Sequence, residues 1–72
     1  MNKLKKSAII CDNYKVVKFR FELEKDGFEV VSATPFTQNQ NTELIVLFDP
    51  KELQDLKRTI QRVHTYFNAK LN

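Results

Sequence analysis

The chain has 72 residues, with 12 Lys and Arg against 9 Asp and Glu, one Cys, one His and one Gly. A core of this size supplies roughly 3–5 kcal/mol. The lone Cys11 excludes an internal disulfide, and a lone His64 without any Cys/His cluster offers no metal site. The net charge of +3 is mild and mixed in sign, short of a basic tail or an Arg-rich stripe.

Residues 1–6 read as a flexible basic N-terminus, and 7–72 as a single folded domain. The start is basic like that of a signal peptide, but the apolar run Ala8 to Cys11 is too short for one. No stretch approaches the roughly 20 apolar residues of a membrane span, and a free thiol suits a reducing compartment. The expected location is cytoplasmic.

Residues 7–11 form a short apolar run read as the first strand, and Asp12 and Asn13 after it are helix-capping types. Residues 14–26 carry two patterns. Gly27 suits a helix C-terminus, where a left-handed residue closes the last turn. Yet Val17, Phe19, Phe21 and Leu23 alternate with charged residues at the period of a half-buried strand, and Asp26-Gly27 would then be a hairpin turn. The helix is favoured, because Leu23 to Val30 has the look of a helix end dropping through glycine into a strand.

Residues 28–34 are the second strand, stopped by Pro35, and a polar Gln/Asn loop runs from Thr37 to Thr42. Residues 43–48 are the third strand; its five consecutive apolar residues call for a central position with both faces covered. Asp49 fits as N-cap and Pro50 as first residue of the last helix, which is expected to run from 50 to about 69. Leu53, Leu56, Ile60, Val63 and Phe67 recur at spacings of 3 and 4, one apolar seam.

The order β-α-β-β-α follows, an α+β fold. A crossover helix makes the first two strands parallel, and a short loop makes the second and third antiparallel. The expected sheet is three-stranded and mixed, in the order 1-3-2, with two helices on one face. It is partial ferredoxin-like, lacking the fourth strand.

Ile9 to Asn13 resembles the acidic strand end of response-regulator receiver domains. Leu23 to Val31 resembles their helix-to-strand turn, and Leu44 to Asp49 the strand bearing their phosphorylated Asp. The resemblance stops there. Pro35 to Thr42 leaves no room for a second crossover helix, and the later strands are absent. No family is assigned on these residues.

No catalytic constellation emerges, and the chain is read as a non-enzyme. Cys11 lies in an apolar run and reads as a small buried hydrophobe. His64 borders the seam between Ile60 and Phe67. The carboxylate pairs Glu22/Asp26 and Glu52/Asp55 read as solvated helix charges. Gly27 stands alone, so there is no phosphate loop. No cofactor and no small-molecule substrate is expected.

Two interaction readings remain. If 14–26 is helical, Val16, Phe19 and Leu23 make one apolar stripe, while Tyr14, Val17 and Phe21 make a second that wants a partner. A sheet with both helices on one face also leaves the other face bare, and its first strand is an edge. Both features favour a self-associating protein-interaction module, a homodimer acting as a small adaptor, regulator or inhibitor with a protein partner. The alternative is a small nucleic-acid-binding regulator, with Lys51, Arg58 and Arg62 on the outer face of the last helix tracking phosphates.

Overall fold

The computed structural model describes residues 3–70. The chain forms β1 (Lys5–Asp12), a 3-10 turn (Asn13–Lys15), α1 (Val16–Lys25), β2 (Glu29–Pro35), β3 (Asn41–Phe48), a second 3-10 turn (Pro50–Glu52) and α2 (Leu53–Lys70). Residues 14–26 are therefore helical rather than a strand. The tertiary need for one buried face outweighs the alternation, since only Phe19, Glu22 and Leu23 of α1 are buried.

Local chemistry accounts for the ends of the elements. Gly27 has φ +94°, and α1 closes through two backbone bonds, Gly27 N–H to the Glu24 carbonyl (3.0 Å) and Phe28 N–H to the Leu23 carbonyl (2.9 Å). That pair of bonds requires a left-handed residue between helix and strand, which glycine adopts without a Cβ penalty. Asp49 caps the second 3-10 turn by accepting from Lys51 N–H at 2.9 Å, with Pro50 at the first position. The β2–β3 loop is closed by Phe36 N–H to the Asn41 carbonyl (2.9 Å). It is tied to the first 3-10 turn by Asn13 N–H to the Gln40 carbonyl (2.8 Å) and by the Thr42 hydroxyl donating to Asn13 Oδ1 (2.6 Å).

The sheet order is β1-β3-β2, and both neighbouring pairs are antiparallel. The mixed sheet expected from sequence is corrected on this point. β1 and β2 do run in the same direction, but β3 lies between them, so every ladder is antiparallel. A second correction concerns the N-terminus: β1 begins at Lys5, and Lys5 and Lys6 pair with Phe48 and Leu47 instead of forming a flexible arm. Met1 and Asn2 lie outside the described residues.

One sheet face holds the core. Ile9, Cys11, Leu44, Val46 and Phe48 alternate onto it and join Phe19, Leu23, Phe28, Leu56 and Val63 in one buried cluster. Both helices therefore lie on that face. Leu53, expected on the seam, is instead 38% exposed, and the buried Thr59 takes a place in the packed stripe. The principal extents of 42 × 28 × 15 Å fit a single sheet under a single helix layer.

Candidate interaction surfaces

The register sorts the second face of the sheet into rows. Lys6, Leu47 and Glu29 form the first row, Ala8, Ile45 and Ser32 the second, and Ile10, Glu43 and Thr34 the third. A register shift around Val31 separates the first two rows on the β2 side. None of these residues is buried; Ile45 and Leu47 are half-buried, and Ile10 is 58% exposed. The helix layer covers only the other face, so β3 is central, as expected, but covered on one side alone. A sheet face with an apolar middle and no covering layer is a surface suited to association.

A second surface lies on the outer side of α1. Val17 is 79% exposed and Phe21 58% exposed, one turn apart. Tyr14 does not continue this stripe as a helical residue. It sits in the 3-10 turn, and its ring meets Phe67 of α2 edge-on, 5.6 Å between centroids. Lys18 Nζ lies 4.3 Å from the Tyr66 ring centre and 5.8 Å from that of Phe21.

The three basic residues expected on the last helix are placed differently from one another, and only Arg58 and Arg62 belong to α2. Lys51 lies in the turn before the helix and donates its backbone N–H to Asp49. Arg58 pairs with Asp55 at 3.1 Å. Arg62 bridges the two helices: Nη2 sits 2.7 Å from Glu22 Oε1 and 2.8 Å from Asp26 Oδ2, and Nε donates to Glu22 Oε1 at 2.9 Å.

This cluster was not legible from spacing. Its helix position alone makes Glu22 a solvated charge; in the structure its side chain is 6% exposed and is roofed by Arg62, Lys18 (3.2 Å) and Lys25 (3.4 Å). The roofing cations themselves reach water, so the carboxylate is covered without being isolated in an apolar medium. Asp26 accepts from the Thr59 hydroxyl and from Arg62. The guanidinium of Arg62 holds the Glu22 carboxyl below its ordinary value, partly opposed by burial. The Thr59 hydroxyl, then Arg62, does the same for Asp26. A carboxylate that accepts such bonds is favoured in its charged form. The only sequence signals were Glu22 and Asp26 at i,i+4 on one helix and Thr59 and Arg62 at i,i+3 on the other.

A shallow cleft of about 280 Å³ opens beside the cluster, with Asp26, Phe28, Asp55 and Arg58 among its walls. It is at the lower limit of ligand-pocket volumes, roughly 300 Å³, and its charged walls are largely paired with one another. Cys11 is in the core, where burial pushes its thiol up. That reduces the thiolate, which is the nucleophilic form. His64 is on the exposed side of α2, edge-on to Phe19, and among the described residues no hydrogen bond joins it to Cys11. No group of three His, Cys, Asp or Glu among the described residues could hold a metal ion, and no helix among them is long and apolar enough to cross a membrane.

Comparison with protein-family models, with curated proteins and with solved structures finds no match.

Proposed function

We propose that the chain is a non-enzymatic protein-interaction module that works as a homodimer in the cytoplasm, with a ferredoxin-like half-fold as its scaffold. One observation carries this reading: the sheet face bearing Ile10, Ile45 and Leu47 has no covering layer. Stacking two such faces gives each sheet its second layer, at the spacing of about 10 Å found between packed sheets. The outer side of α1, with Val17 and Phe21, then remains free for a protein partner, as suits a small adaptor, regulator or inhibitor. Nucleic-acid binding through Lys51, Arg58 and Arg62 is less favoured, because both arginines are held by carboxylates.

The test compares two substitutions by light scattering behind a sizing column. Burying one Ile side chain contributes roughly 1.5–3 kcal/mol, and a two-fold axis doubles the effect. Ile45→Lys is expected to raise the dimer Kd by more than about 100-fold, with an unchanged far-UV CD spectrum. Phe21→Ser is expected to leave the dimer intact. A dimer that survives Ile45→Lys but not Phe21→Ser would move the contact to α1.

A further inference from the structure

The open face carries two charges whose placement selects one way for two copies to meet. Lys6 on β1 and Glu29 on β2 share the first row, on either side of Leu47. They are two strand spacings apart, roughly 9–10 Å, and among the described residues neither takes part in an ion pair. A Lys and a Glu at opposite edges of one row are self-complementary under rotation about an axis that runs along the strands. That operation keeps each row opposite itself and lays β1 over β2 of the second copy.

We infer that the partner on this face is a second copy of the chain, related by a two-fold axis along the strands, with Lys6 of each protomer set against Glu29 of the other. This rests on the self-association reading above and specifies its geometry. Leu47 and Ile45 then pack on their own counterparts around the axis, and Ala8 lies over Ser32 and Ile10 over Thr34 of the second copy. Two Lys–Glu pairs flank the apolar centre at the rim, where charges steer orientation more than they add affinity. An axis across the strands through the second row would instead bring Lys6 over Ile10 and Glu29 over Thr34, leaving both charges without an opposite partner. The operation along the strands has one unfavourable consequence: Glu43 comes against its own copy. Two like charges brought together disfavour the contact, and Glu43→Gln is therefore expected to tighten the dimer several-fold.

The experiment is a charge exchange read by dissociation constant at low salt. Both residues are exposed and unpaired, so Lys6→Glu and Glu29→Lys are expected to fold as the parent does. Each variant alone places like charges at both rim contacts. Each is expected to weaken the homodimer by about tenfold. An equimolar mixture of the two restores opposite charges at both contacts and is expected to form a heterodimer with the Kd of the unmodified chain. Homodimers that keep their affinity in both variants, or a mixture no tighter than its components, would overturn the axis while leaving self-association standing. An unmodified chain that stays monomeric at every concentration would overturn both. A Glu43→Gln dimer weaker than the parent would also count against the axis.

Discussion

Phe19→Ala leaves the domain largely unfolded at 25 °C. Phe19 is fully buried, at the meeting point of α1, the sheet and α2, with His64 edge-on at 5.6 Å. Truncating a buried Phe costs about 3–5 kcal/mol, the lost transfer energy plus the cavity left behind. A core this small supplies roughly the same amount in total. Phe21→Ala, two residues away and 58% exposed, stays within about 0.5 kcal/mol of the parent, as surface substitutions do. Far-UV CD and urea titration at low protein concentration read both, since association would add a concentration-dependent stabilisation. Equal losses in the two variants would contradict the placement of α1.

The second large effect is a loss of stability in acid that depends on Glu22. The folded state lowers the proton affinity of Glu22 below its ordinary 4.5 and of Asp26 below its ordinary 3.8. The unfolded chain therefore binds more protons than the folded one as pH falls through this range. The stabilisation is complete above the ordinary values and disappears as pH drops through the lowered ones. Arg62, whose proton is held more firmly still, stays charged throughout. Glu22→Gln should lower the urea midpoint at pH 7, because Arg62, Lys18 and Lys25 lose their shared carboxylate. On acidification the variant should fall more gently than the parent, so that the gap between the two narrows as pH drops below 4.5. Parallel curves from pH 7 to pH 3 would show that the Glu22 carboxylate contributes no proton linkage.

The elements of the fold were legible where one signal dominated. The seam from Leu56 to Phe67, the Asp49-Pro50 start and the glycine after α1 each fixed an element or its end. The order 1-3-2 follows from the apolar run of β3, which calls for a central place, while the crossover and loop lengths give the strand directions; with β3 between β1 and β2 those directions make both ladders antiparallel rather than mixed. Residues 14–26 were ambiguous, because Val17 to Leu23 satisfies both periods; only the packing of Phe19 and Leu23 decides between them. Leu53 failed as a seam residue because α2 is preceded by a 3-10 turn, which leaves the first residue of the helix at the margin of the core.

The uncovered sheet face was legible in outline. A bare face follows from the topology, but its rows depend on the register and on the shift at Val31, which no local pattern reveals. The Glu22–Arg62–Asp26 cluster joins residues 36 and 40 positions apart, so it could not be read from spacing within one helix. It also explains why a helix face that resembles a phosphate-tracking stripe is partly committed to the protein itself.

The central claim, that the open sheet face is covered by a second copy, is tested most directly by the solution mass of the unmodified chain at low and high salt. The account predicts a mass near twice 8.5 kDa at both, because an apolar contact is little screened by salt and the rim pairs add only modestly. A mass near 8.5 kDa at both salts, across the accessible concentrations, would contradict it.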